Sequence, residues 1–294
     1  TGQTYIGETF HKNMRARYAA FMQTGAPLGI IIASLVGGFL VSEIGWRACF
    51  FVSIAPAFLV TYIRKWLPES DVWLERKRKI ADGTLTDASM KTMDNLKILF
   101  SKTFRLLFLQ SLVLSIFEMS AYWFTYSWLP GYLHQQRGFT IVKSAAWMLV
   151  TQAGGFSGYL TFGFTADKIG RRPAFSIYSV IMALGLLMIT LFWSIVAVNY
   201  YYILFFMFLT GFGTGMFSGL GPLFSEIFPT SIRNTAMGSA FNLARGIQFL
   251  TPVIITIVAR TYGLSGGISL AAGFALLTGL WVWTFPETRG SSIS

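Results

Sequence analysis

Apolar residues in this chain come in long unbroken runs. They show neither the i, i+3, i+4 spacing of a half-exposed helix nor the alternation of a half-buried strand. Eight runs of 18 or more residues carry few or no charges: 18–41, 48–67, 104–133, 145–166, 173–198, 200–225, 236–259 and 264–285. At 1.5 Å per residue each is long enough to cross ~30 Å of hydrocarbon. The pattern predicts eight membrane-crossing helices separated by short polar turns. The one long polar stretch, 68–103, opens with a basic segment, Asp71–Ala81, that suits a surface helix near anionic headgroups.

Composition agrees with an all-α membrane protein. The residues AVILMFWYC make up 54% of the 294 and charged residues only 12%, about half the share in soluble domains. A large soluble helical core would need polar faces between the apolar runs, and there are none. The net charge of +11 would suit nucleic acid, but its placement points elsewhere. Sorted by alternate loops, eighteen of the 23 Lys and Arg fall on one side and four on the other, with Arg245 inside a span. That bias places the basic side and the C-terminus in the cytoplasm, in a cell (inner) membrane, with the bilayer and not nucleic acid as the partner. The single Cys49 excludes an intrachain disulfide. His11 and His134 fall on opposite sides, and no metal cluster, triad or phosphate-cradling loop is visible. No cofactor and no enzyme activity are expected.

A short frame occurs twice. Glu8, Phe10 and Arg15 repeat as Glu226, Phe228 and Arg233, 218 residues on; at the same offset Gly45 matches Gly263, and Pro68-Glu69-Ser70 matches Pro286-Glu287-Thr288. One register for three sites argues for duplicated parallel halves, an architecture of transporters. Shifting the second half back by 218 residues puts three spans before Thr1. The chain therefore reads as an N-terminally truncated twelve-span protein: a remnant of the first bundle (1–67, the end of a fourth span with the fifth and sixth), a linker (68–103) and a six-helix bundle (104–294).

The segment Gly163 to Arg172, GFTADKIGRR, resembles the G-x3-D-[RK]-x-G-[RK]-[RK] loop of the major facilitator superfamily, with Gly163, Asp167, Lys168, Gly170, Arg171 and Arg172 all in place. The two E-x-F-x4-R frames, WLPES at Trp66–Ser70 and FPETRG at Phe285–Gly290 resemble the branch of sugar porters and metabolite:proton symporters. The resemblance implies a major facilitator-type helical bundle working by alternating access, with eight of twelve transmembrane helices plus a stub. It is expected to be a monomer.

The same residues make physical sense. Gly170 allows a tight turn, Pro173 suits the first turn of the next helix, and Asp167 stands beside that helix's positive end. With Glu226 and Arg233 at the neighbouring turn, and Glu8, Arg15, Glu69 and Glu287 at related positions, these charges form a candidate cytoplasmic gate whose pairs make and break with conformation. For Lys168 and Arg172, holding the loop inside is an equal alternative.

Two charges lie within spans, where each is a candidate functional site. Glu118 sits fourteen residues into its run, on a stripe with Ser111, Ser115, Tyr122 and Thr125; Arg245 sits nine residues into its own, on a face with Asn242. Arg245 is assigned to an anionic substrate and Glu118 to a transferable proton, with Tyr122, Tyr126 and Asn242 as further candidates; a packed Glu118–Arg245 pair is the alternative. Gly211, Gly213, Gly215, Gly219 and Gly221 resemble a nucleotide fingerprint, but their apolar setting makes them close-packing positions. Gly25, Gly29, Gly37 and Gly38 form a small-residue face of the first two spans. The reading is a secondary active transporter, a proton symporter for a small organic acid. A sugar porter is the alternative, disfavoured by Leu112 and Val113 where those proteins carry a Gln-Gln pair. A transport-inactive truncated product or a transporter-like receptor is the reading from another class.

Overall fold

The structure, a computed structural model, describes residues 2–11, 14–35, 45, 47, 50–51, 54–83 and 92–289. They divide into two compact units, residues 25–87 on one side and 1–24 with 88–294 on the other. In chain order the helices are α1 (Gly2–Thr9), α2 (Arg15–Gln23), α3 (Gly25–Leu35), α4 (Ala55–Trp66), α5 (Asp71–Ala81), α6 (Thr92–Leu99), α7 (Arg105–Tyr126), α8 (Leu129–Gln135), α9 (Ile141–Ile169), α10 (Arg171–Thr190), α11 (Trp193–Val196), α12 (Tyr200–Gly213), α13 (Leu220–Ile227), α14 (Arg233–Ile247) and α15 (Thr251–Trp281).

The smaller unit holds α3 to α5. The basic segment does form a helix: α5 has Asp71 in its first turn and Arg78 and Lys79 in its last, the order the helix dipole favours. Lys79 pairs with Glu75 at 2.6 Å. Gly25 and Gly29 face open space; Gly37, Gly38 and much of 36–53 lie outside the described residues.

In the larger unit all six sequence-predicted spans are helical. Four stretches of the described residues are long and apolar enough to cross a membrane: Arg105–Gln135, Arg171–Thr190, Tyr200–Ile227 and Arg233–Thr284. The 29-residue α9 is long enough to cross but is not one of these four. The last stretch is two passes. Gly263 (φ 69°, ψ 174°) breaks α15, and the chain folds back so that Gly267 meets Ile255. Gln136 accepts the Ser265 amide proton and Arg137 donates to the Thr190 carbonyl, which gathers 135–140, 190 and 263–265 at one end. Residues 167–171, 226–233 and 285–288 gather at the other, the basic end.

Glycines set the helix spacing. A Cβ on Gly154 would strike the Phe208 carbonyl, on Gly158 that of Phe212, and on Gly211 that of Thr151. The α9–α12 contact is thus backbone against backbone, as the close-packing reading of Gly211, Gly213 and Gly215 requires. The backbone then tightens into a 3-10 turn at Thr214–Gly219 before resuming as α13, a mid-helix break of the kind that marks hinges. Gly163 brings α2 equally close to α9. A Cβ there would lie 2.8 Å from the Ala16 carbonyl, the Ala20 methyl and the Arg17 Cα.

Candidate functional site

The basic end is a lattice of charges. Arg171, 1% exposed in its side chain, donates from Nη2 and Nε to Glu226 at 2.8 and 3.2 Å, and from Nη1 to Asp167 at 2.8 Å. Both carboxylates are also nearly sealed, at 3% and 1% exposed. The fork-to-carboxylate geometry is the strong form of a charge-assisted pair, and burial keeps solvent from screening it. Arg17, reaching over from α2, pairs with Asp167 at 3.4 Å and lies over the Phe164 ring.

The amino end of α10 is held differently from the sequence-based expectation. Glu287, and not Asp167, accepts its free amides, from Arg171 at 2.8 Å and Arg172 at 3.1 Å. A helix start offers unpaired N–H groups and partial positive charge, so a carboxylate fits there. Asp167 lies one turn earlier, committed to the two arginines. Gly170 is needed twice over: its φ is 107°, and a Cβ would sit 2.8 Å from Glu287 Oε2. The Thr288 hydroxyl donates to Glu226 at 2.6 Å, tying this carboxylate cluster together. Thr288 was not singled out from the sequence; its place in the matching PES and PET triplets was the available signal.

The repeated frame now has a local structure. In both copies the arginine Nε donates to the phenylalanine carbonyl five residues earlier: Arg15 to Phe10 at 3.3 Å and Arg233 to Phe228 at 3.2 Å. The copies also meet. α1 packs on α13, and Arg15 feels the charge of Glu226. Burial pulls the Arg15 pKa below its ordinary value, Glu226 opposes that, and Arg171 adds to it. The Glu8 side chain lies outside the described residues. Arg172 stacks over Trp283 at 5.7 Å, Lys168 is exposed, and Glu69 belongs to the smaller unit, exposed there.

The two in-span charges do not pair. Glu118 is 0% exposed, and neither carboxylate oxygen has a hydrogen-bond partner among the described residues. Tyr159 lies within electrostatic reach of Glu118 and also of Tyr122 and Tyr126. Tyr122 and Tyr126 pack ring to ring at 4.5 Å and Tyr122 meets Phe217 at 5.3 Å. Tyr126 lies near Thr214, yet its buried hydroxyl completes no hydrogen bond; Thr214 gives its own proton to Gly211 O at 2.6 Å. The rest of the polar stripe is closed locally. Ser111, Ser115 and Thr125 donate to the carbonyls of Leu107, Ser111 and Ala121, each four residues back. Tyr159, missed in the sequence, comes from α9, and no spacing within one helix could have revealed it.

Arg245 is exposed, its guanidinium 5.3 Å from the Phe241 ring centre. It lines a cavity of about 280 Å³ with Trp123, Ser127, Trp128, Gln248, Thr251 and Pro252. Asn242 is not in it; its amide donates to the Gly238 carbonyl, and it borders a separate hollow with Phe100, Phe108 and Leu243.

Comparison with known proteins accords with this architecture. The chain is 29% identical over 293 residues to a putative metabolite transport protein of Haemophilus influenzae, covering 99% of this chain and 70% of that one. It is 30% identical over 305 residues to a probable 4-methylmuconolactone transporter of Cupriavidus pinatubonensis, covering 99% and 66%. The chain thus spans about two thirds of the length of these relatives. A solved proton:xylose symporter of the major facilitator superfamily superimposes with TM-score 0.73 at 22% identity, over 99% of this chain and 68% of that one; this establishes the helical major facilitator fold. A family model described as "Sugar (and other) transporter" matches residues 3–294. The protein is therefore an integral, multi-pass membrane protein whose family comprises transporters and not enzymes, and it belongs to the sugar (and other) transporter family.

Proposed function

We propose that this chain serves a proton-coupled symporter for a small organic acid, working by alternating access. Its basic end faces the cytoplasm of a cell with an inner membrane, and there the Asp167–Arg171–Glu226 lattice acts as the gate. The observation that carries the coupling is the isolation of Glu118. Arrival or departure of a proton at a fully buried, unpartnered carboxyl changes the local free energy by several kcal/mol, the scale on which a bundle can switch between packings. Arg245 supplies the cation for the substrate, at a depth where a charge facing lipid would be costly and a cavity wall is the consistent setting. The organic-acid class draws support from relatives named as transporters of 4-methylmuconolactone and of cis,cis-muconate.

With Arg17 of α2 paired to Asp167, this arrangement is the closed state of the basic end. Opening it must separate Arg17 from Asp167 and α2 from the glycine face of α9. In proteoliposomes with an imposed pH gradient, Glu118→Gln should abolish proton-driven accumulation of substrate while leaving exchange across the membrane. Accumulation at the native level in Glu118→Gln contradicts the assignment.

A further inference from the structure

The cavity beneath Arg245 has a restricted chemistry. It is small, about 280 Å³, just under the ~300–1,000 Å³ usual for ligand sites. Its one charge is the Arg245 guanidinium, so it answers one carboxylate and not two. Two of its walls are the indoles of Trp123 and Trp128.

Its neutral polar groups are already engaged. The Gln248 amide nitrogen donates to Ala244 O at 3.0 Å and to the Ser120 hydroxyl at 3.3 Å, and its oxygen accepts from Thr251 at 3.1 Å. Gln248 is buried, so this arrangement is fixed. That leaves the Ser127 hydroxyl and the lone pairs of Thr251. A polyhydroxylated ring placed here would give up water around its hydroxyls and gain few partners, leaving buried groups unmatched. A flat π-bearing body loses nothing of that kind and gains contact with the indoles beyond area burial.

We infer that this cavity is a subsite for a monoanion with a flat, sparsely hydroxylated body, its carboxylate on Arg245 and its face against Trp123 and Trp128. The inference rests on reading Arg245 as the carboxylate anchor, and it separates this site from one built for sugars or sugar acids.

The test uses the 294-residue chain in detergent and calorimetric titration with benzoate and with gluconate, a hydroxylated monoanion. Benzoate should bind at least ~10-fold more tightly. Arg245→Gln should remove benzoate binding. Trp123→Leu and Trp128→Leu should each weaken benzoate by ~2–13-fold and leave gluconate unchanged, while Trp123→Phe should retain most of the preference. Both tryptophans border the cavity and are not in the fully buried core, so these changes leave the fold in place. Gluconate binding as tightly as benzoate, with both lost in Arg245→Gln, overturns the flat-body inference and leaves Arg245 as anchor. Benzoate binding that survives Arg245→Gln overturns both, as does binding of neither probe.

Discussion

Replacing Arg171 with alanine removes the cation at the centre of the basic end and keeps its carboxylates. Asp167 and Glu226 are 3% and 1% exposed and receive three guanidinium hydrogen bonds of 2.8–3.2 Å. Stranding buried charges in this way costs ~3–5 kcal/mol. The partly exposed Arg17 pair compensates by at most ~1 kcal/mol. The cheapest relief is hydration, which means opening the basic end. The remaining ~2–5 kcal/mol, at 1.4 kcal/mol per decade, should raise the open population by ~30- to ~4,000-fold. Ser225, 2% exposed and next to Glu226, is a nearly isosteric place for a reporter thiol, with Cys49 changed to serine. Maleimide labelling of Ser225→Cys in proteoliposomes should be slow in the otherwise native protein and at least ~30-fold faster with Arg171→Ala; Arg171→Lys should fall between. Labelling within twofold of native, in protein of unchanged melting temperature, would refute the gate energetics.

Two further outcomes follow from the glycines. Gly170→Ala meets both a left-handed backbone and the Glu287 carboxylate, so it should cost ~1–3 kcal/mol and lower the melting temperature by ~2–4 °C for each of these, as read by fluorimetric melting in detergent. Gly211→Val places a branched side chain against the Thr151 carbonyl, where no rotamer avoids the backbone. It should leave little monodisperse protein on size exclusion, whereas substitution at Gly238, which faces open space, should be silent.

The pattern of apolar runs was enough to locate the helical stretches of the larger unit, because in lipid a chain's amides are satisfied only within helices or closed barrels. The repeated frame was legible as a duplication. Its structure was not, since the Arg-to-Phe carbonyl bond is a matter of turn geometry and not of residue type. Of the charges grouped at the basic end, Asp167, Arg171 and Glu226 come together, and Asp167, read from the sequence as standing beside the positive end of α10, leaves the amides there to Glu287, 116 residues further on in sequence from the Arg171 amide; a long-range cap has no local signature. The same limit applies within the bundle. Glu118 stood out as a charge in an apolar run, while Tyr159 reaches it from a different helix, α9. The polar stripe of α7 overstated the site, because its serines and Thr125 bond to their own helix.

The central claim is that the basic end opens and closes around this charge lattice. Spin labels on Thr9→Cys and Lys168→Cys, both exposed there, with Cys49 changed to serine, report its width by pulsed electron–electron resonance in lipid. A short distance should predominate in the native background and a longer one, by several ångströms, once Arg171→Ala is added. A single distribution, identical in the two backgrounds, contradicts the claim.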